Sequence, residues 1–404
     1  MGHRRSAALA AMFAASAMIG AAHAQQAATP GVTANEIRIG NTAPYSGPAS
    51  ALGATLKSAA AYFRKVNDEG GVNGRKITLI SYDDAYSPPK TMEQTRRLVE
   101  GDEVALVFGS LGTATNAAVQ KYLNGKGVPQ LFIMTGATRF GSPKDNPWTM
   151  GWPLDLQSEG RIAASHVNKA VADARVGIIL QNDDFGRDIV KGFRSALARP
   201  DAIVSEVSYE TSDPTIDSQI VKLKAAGATV VLAATTPRFS AQVIRKIGEL
   251  GWKPVVMIPQ SSGSVGAVLK PAGLDNAEGV LTWLSYKDPT DPSWAADPAV
   301  KAWSAFMDKY DPDGDRTDIS NVVGYLLAQT MVDVLRRAGN DLSRANIMRQ
   351  AASLNGASFD MLLPGITLNT STTDFFPIEQ AQIETFTGGR WQRIGDVISA
   401  RQGD

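Results

Sequence analysis

From Ile37 onward the apolar positions fall into two alternating patterns. Short continuous runs read as buried strands: IRIGN (Ile37 to Asn41), KITLISY (Lys76 to Tyr82), VALVF (Val104 to Phe108) and Val128 to Met134. Later come VGIIL (Val176 to Leu180), IVSEVSY (Ile203 to Tyr209), TVVLAA (Thr229 to Ala234) and PVVMI (Pro254 to Ile258). Between them the spacing turns helical: through Ala59 to Val66, Lys90 to Val99, about Ala117 to Leu123, near Arg187 to Leu197, near Ile216 to Ala225, and Ala241 to Leu250. Strands alternating with helices of this length predict βαβ units and parallel sheets covered on both faces.

Two irregular stretches break the rhythm. FGSPKDNPWTMGWPLD (Phe140 to Asp155) is rich in Pro, Gly and Trp, as a crossing between lobes would be. SYKDPTDPSWAADP (Ser285 to Pro298) is the second. Mainly helices follow, including Val300 to Tyr310 and Ile319 to Gly339, and the tail from Phe359 to Gln402 reads as short strands and turns.

The first residues change the picture of where the chain resides. Arg4 and Arg5 precede an apolar small-residue run, Ala7 to Ala22, and Ala22-His23-Ala24 fits the small-x-small pattern of a cleavage site. The run is too short to span a bilayer, so a cleaved secretory signal peptide (residues 1–24) is expected, with Gln25 as the new N-terminus. That leaves 404 − 24 = 380 residues, enough for two domains. The chain has no Cys, hence neither disulfides nor the Cys that a lipoprotein anchor needs. The expectation is a periplasmic protein without a lipid anchor. With Arg4 and Arg5 removed, 38 basic residues face 40 acidic ones. This balance gives no electrostatic reason to expect nucleic acid.

Several chemistries lack their residues. Of three His, only His166 survives processing, and it lies on a plausible amphipathic helix, SEGRIAASHVNKAVA. A Ser-His-Asp or Cys-His site, a His-rich metal site and a GxxxxGK[ST] phosphate loop are therefore not supported. DPDGDRTD (Asp311 to Asp318) has its Gly at the wrong place for a calcium loop, and a turn capping the next helix suits it better. Asp83-Asp84 and Asp183-Asp184 follow strand ends, where N-capping and turn formation are the common uses of Asp. No metal or cofactor is expected.

What remains are hydroxyls, glycines and backbone amides at strand ends. GSLGTATNAAV (Gly109 to Val119) runs from a strand into a helix, and MTGATRF (Met134 to Phe140) is a second such turn. Amides at a helix start attract a carboxylate or phosphate, and Thr113 and Thr115 add hydroxyl donors. Either turn alone could be no more than local capping; two in consecutive strand-turn segments favour a site that holds an anion without transforming it.

The order IRIGNTAPYSGPASALG, VNDEGGVNGRKITLISYDD, LVFGSLGTATNAAV, VGIILQNDDFGRDIVKGF resembles the periplasmic leucine/isoleucine/valine-binding proteins, the type I solute-binding proteins of ABC importers. The resemblance covers nearly all of the chain after residue 24. It implies an α/β fold of two doubly wound lobes joined by three crossovers, with a ligand cleft between them. Lobe one would be 37–152 plus 284–363, and lobe two 153–283 plus 364–404. It implies a monomer that binds a small carboxylate ligand by lobe closure, presents it to ABC permease subunits in the inner membrane and performs no catalysis. A ligand-sensing subunit of a signalling receptor is one alternative. A periplasmic hydrolase using Asp83, Asp84 or Asp183 is a remote one.

By the same resemblance, Thr113, Gly136 and Thr138 fall on the positions that hold the ligand carboxylate. Phe185 falls on an aromatic that lines the pocket, Thr236 on a second loop of lobe two, and Gln260 on the acid that pairs with the ligand ammonium. Tyr45, Tyr86 and Phe185 could line an apolar pocket or serve lobe packing. The departures are Phe185 where relatives show Tyr, Gln260 where they show Glu, and Tyr86 and Gly112 at the positions of a disulfide known in the family. An ammonium buried without a carboxylate partner is costly. Gln260 thus leads to the expectation of carboxylates without an α-ammonium.

Overall fold

A computed structural model describes residues 29–399; the predicted signal peptide lies outside the described residues. Two sheets carry the molecule. The first has the order β2-β1-β3-β4-β5 and is parallel throughout. Its strands are β1 (Glu36–Ala43), β2 (Lys76–Asp83), β3 (Leu106–Phe108), β4 (Gln130–Ile133) and β5 (Thr149–Gly151). Helices α1 (Ala54–Asp68), α2 (Pro88–Arg96) and α3 (Thr113–Lys126) connect them. β1 and β2 pair from Glu36↔Lys76 to Ala43↔Asp83. β3 and β4 are buried at every position, as parallel strands covered on both faces must be.

The chain then enters the second sheet through α4 (Leu156–Ala170), which leads to β6 (Val176–Gln181), α5 (Asp184–Ala196), β7 (Ile203–Tyr209), α6 (Asp217–Ala225), β8 (Val230–Ala234), α7 (Pro237–Glu249) and β9 (Val255–Met257). The short helical turn α8 (Lys270–Ala272) precedes β10 (Leu281–Leu284). The last three helices, α9 (Pro298–Tyr310), α10 (Ser320–Ala338) and α11 (Arg344–Ala351), return to the first sheet: α10 packs along α1, and the Arg344 guanidinium on α11 donates to the carbonyls of Val104 and Ala105. The tail crosses back and closes the second sheet with the antiparallel pair β11 (Gln380–Thr387) and β12 (Arg390–Ser399). The second sheet has the order β12-β11-β10-β9-β8-β6-β7.

Strand-helix alternation with two sheets and three passages between them is the two-lobed α/β architecture that the sequence pattern predicts. The differences lie at the joins. β5 forms inside the Pro/Gly/Trp-rich crossing, where only irregular chain was expected. β10 and α11 were not read at all: β10 is four residues long, and α11 has two Arg, two Ala, an Asn and a Gln among eight residues, which dilutes its periodicity. The tail forms one long hairpin, with Gly388 and Gly389 at φ 59° and 81° in the two-residue turn that suits a twisted antiparallel pair. The first crossing is anchored by Trp152, fully buried, whose Nε1 donates to Thr330 Oγ1 on α10 at 3.1 Å.

Candidate functional site

The turns after β3 and β4 lie side by side at the carboxyl edge of the first sheet. The Met134 N–H donates to the Ser110 carbonyl at 2.9 Å, and the Gly112 N–H to the Met134 carbonyl at 3.3 Å. Gly112 has φ 103°, a conformation that L side chains rarely adopt. A Cβ there would also lie 2.4 Å from the Tyr86 ring. The positions that the family resemblance assigns to a disulfide are thus in contact, with an aromatic ring filling the space. Immediately after Gly112, α3 begins at Thr113, whose hydroxyl lies 2.6 Å from that of Thr135. The first amides of any helix lack an intrahelical acceptor.

Opposite, the second sheet presents the starts of its helices. Asp183 caps α5 by accepting from the N–H groups of Phe185 and Gly186, which fixes Phe185 at the helix entrance. Thr236 sits at the N-cap of α7. Its N–H donates to the Tyr209 hydroxyl at 3.1 Å, and that hydroxyl donates to Gln181 Oε1 at 3.2 Å. Gln260 opens a 3-10 turn after β9, and its Oε1 accepts from Ser285 Oγ at 3.2 Å.

Between the sheets is a cavity of about 80 Å³, several times what one water needs. Six of the eight residues singled out from the sequence line it: Thr113, Gly136 and Tyr86 from the first sheet's side, and Phe185, Thr236 and Gln260 from the other. Thr138 does not line it. Its N–H and hydroxyl donate to Asp188 Oδ2 on α5, at 2.8 and 3.0 Å, so it joins the two sides of the cleft. Tyr45 is also outside the lining; its hydroxyl pairs with Ser81 Oγ at 2.6 Å.

The cavity contains an acid that sequence reasoning missed. Glu159 on α4 is 3% exposed and lines the cavity. Its Oε2 accepts from Trp283 Nε1 at 2.8 Å and from the Gln260 N–H at 3.2 Å. Burial pushes its carboxyl up to about 8. The reading from Gln260 alone left out this acid: Glu159 accepts from the Gln260 N–H and lines the same cavity. A signal was available, since Leu156, Glu159, Ile162, Ala163 and Val167 form one buried stripe of α4, and an acid on an apolar stripe needs a reason.

The remaining acids serve local structure. Asp83 accepts from the N–H groups of Tyr45, Ser46 and Ala85 and pairs with Lys90 at 3.1 Å. Asp84 accepts from the Tyr86 N–H and the Thr91 hydroxyl. None of Asp83, Asp84 and Asp183 lines the cavity. Asp318 in the DPDGDRTD turn accepts from the Ser320 N–H at the start of α10. Among the described residues no cluster of His, Cys, Asp or Glu has the arrangement of a metal site, and no helix is long and apolar enough to cross a membrane.

Comparison with known proteins gives consistent matches. The family described as periplasmic binding protein matches residues 36–388. The Leu/Ile/Val-binding protein homolog 3 of Brucella melitensis is 27% identical over 275 residues, 67% of this chain and 72% of that protein. The leucine-specific-binding protein of Salmonella typhimurium is 24% identical over 78% of this chain and 84% of its own length. The match to homolog 7 of Brucella abortus spans 59% of that protein. Among solved structures, a branched chain amino acid ABC transporter protein from Thermus thermophilus with bound valine superposes with a TM-score of 0.81 at 18% identity, covering 91% of this chain and 97% of that one. A fatty acid ABC transporter substrate-binding protein from Thermomonospora curvata gives 0.77 at 20% identity, covering 92% and 94%. At these identities the structural likeness speaks to the fold.

Proposed function

The chain belongs to the periplasmic binding protein family, and from that membership we propose that it is the solute receptor of an ABC uptake transporter, closing two lobes over a small carboxylate-bearing ligand. The family consists of solute-binding proteins that work in the periplasm. In this reading the lobes are 37–152 plus 284–363 and 153–283 plus 364–404, of which 400–404 lie outside the described residues. One observation carries the ligand class: the hydroxyl pair Thr113–Thr135, the start of α3 and the Gly136 backbone converge on one wall of the cavity. Hydroxyls and the positive end of a helix stabilise a carboxylate there without a cation.

The opposite wall, with Phe185, Thr236 and Gln260, belongs to the other sheet. A ligand touching both walls favours the closed form by its differential affinity, and the permease reads that form. The receptor acts as a monomer and leaves its ligand chemically unchanged.

A thermal-shift screen against amino acids, aliphatic acids and aromatic acids tests this reading. A ligand at 100 times its Kd adds about 2.7 kcal/mol of stability, so a binder raises the melting transition visibly. If sugars or polyols shift the transition and no carboxylate does, the reading is wrong.

A further inference from the structure

The turn DPDGDRTD (311–318) lies at a contact between the two sides of the molecule. It precedes α10, which packs along α1 on the first sheet. Facing it is the turn 264–270, which follows β9 and packs on α7 of the second sheet. Three hydrogen bonds join the two turns. The Gly266 N–H donates to the Thr317 carbonyl at 2.8 Å, the Ser264 hydroxyl to Asp318 Oδ1 at 2.9 Å, and the Lys270 ammonium to Thr317 Oγ1 at 3.0 Å. Ser264 and Asp318 are both buried. Gly266 shows how close the approach is. Its φ is not positive, so its own turn does not require glycine. A Cβ there would lie 2.6 Å from Thr317 Oγ1 and 3.1 Å from the Thr317 carbonyl carbon, so the glycine serves the contact with the other turn.

The contact stands between the cavity and an open cleft. Gln260 and Ser261, shortly before Ser264, line the cavity, as do Ile319 and Ser320, directly after Asp318. Ala267 and Pro271 line the open cleft, together with Ser50 and Ala51 from the first sheet's side. None of the three passages between the sheets runs through either turn. The contact is therefore placed to separate when the sheets move apart about those passages.

We propose that these two turns are the gate of the cavity: they part to admit the ligand and close over it, with Asp318 as the latch. This rests on the reading of the cavity as a solute site between two closing lobes. The Asp318 carboxylate is held by the Ser264 hydroxyl and the Ser320 N–H. Parting breaks only the first of these and returns the carboxylate to water, which hydrates it in place of the hydroxyl. Such a contact is made and broken at small net cost. The Ser320 bond lies within the first sheet's side and keeps the latch in position while the gate is open.

The test locks the gate. The chain has no Cys, so an introduced pair has no competing thiol. In the double variant Gly266→Cys, Thr317→Cys the two Cβ atoms are within reach of a disulfide. The full chain is compared oxidised and reduced, by two readouts. One is the rate of binding of 4-methylpentanoate, followed by tryptophan fluorescence, since Trp152 lines the cavity. The other is hydrogen exchange in the segments around Thr113 and Gly136, which needs no ligand. Oxidation should slow binding by about a hundredfold and amide exchange by about tenfold, and reduction should restore both. Gly266→Leu, a wedge in the contact, should weaken 4-methylpentanoate binding by about tenfold. Cooperative melting of each variant guards against misfolding.

Slower amide exchange in the oxidised form, with no carboxylate bound by the reduced form, would uphold the gate and overturn the carboxylate reading. Binding of 4-methylpentanoate and amide exchange at the same rates in both forms would overturn the gate and keep the carboxylate reading: the two turns would then stay together while the ligand enters elsewhere. Failure of the disulfide to form, or wild-type affinity in Gly266→Leu, also overturns the gate.

Discussion

Thr113 shows how much of the site a single position carries. It follows a glycine with positive φ, starts a helix and faces the hydroxyl of Thr135 in the neighbouring turn. Thr113→Val keeps the shape and removes the hydroxyl. Ligand affinity should fall by about 1.5–3 kcal/mol, the range for a hydrogen bond to a charged group, beyond the smaller loss of ligand-free stability from breaking the Thr113–Thr135 hydroxyl pair. Unchanged calorimetric affinity together with a large loss of stability would make Thr113 a structural cap. Residue chemistry was legible in the sequence where the chain is local: the glycine-hydroxyl turns and the capping acids read directly, while Phe185 came from the family resemblance. It was not legible where the partner is remote. Glu159 and Gln260 are 101 positions apart and meet only because the fold brings α4 to the turn after β9. Thr138 meets Asp188 across 50 positions, which turns an expected ligand donor into a link across the cleft.

At the scale of elements, the positions of the helix starts depend on how closely α4 and α5 approach. A Cβ on Gly192 would lie 2.0 Å from the Gln157 carbonyl, and neither backbone can yield easily. Gly192→Ala should destabilise the protein by about 1–3 kcal/mol as an overpacked contact, read as a lower midpoint in urea unfolding. It should also weaken ligand binding, because α5 carries Phe185 and α4 carries Glu159. A variant with wild-type stability would show that the helices can separate freely. The long elements were legible because period and length agree, as in β1, β7 and α10. Their ends ran past the predicted limits: α3 begins at Thr113 rather than near Ala117, and α7 at Pro237 rather than Ala241. The first turn of α3, TATN, is polar and hides the helix start, and Thr113 within it lines the cavity.

At the scale of the molecule, burial of three acids gives a pH dependence. Glu159 and Glu384 are pushed up to about 8 and Asp288 to about 6, each mainly by burial. The charges of Asp288 and Asp291 add to the push on Glu384 and Arg393 opposes it, while Asp291 adds to that on Asp288. All three hold protons in the folded state that the unfolded chain loses near pH 4 to 4.5. Their stabilising contribution is therefore full below that range and is lost as pH rises toward their folded values. The ligand-free protein should melt at a lower temperature at pH 8 than at pH 6, and Glu384→Gln should reduce the slope. A melting temperature that rises over this interval would contradict the assignment. The two-sheet plan itself was readable from alternation alone, whereas the cavity was not, since its volume depends on side chains from both sheets.

The central claim is that this cavity holds a carboxylate between the two sheets. The most direct test is the crystal structure of the protein with the tightest-binding carboxylate from the thermal-shift screen. The account predicts the ligand carboxylate within hydrogen-bond distance of the Thr113 hydroxyl and the amides at Thr113 and Gly136, with the rest of the molecule against Phe185 and Gln260. A ligand bound outside this cavity, or one whose carboxylate faces Glu159 and leaves Thr113 without a contact, would contradict it.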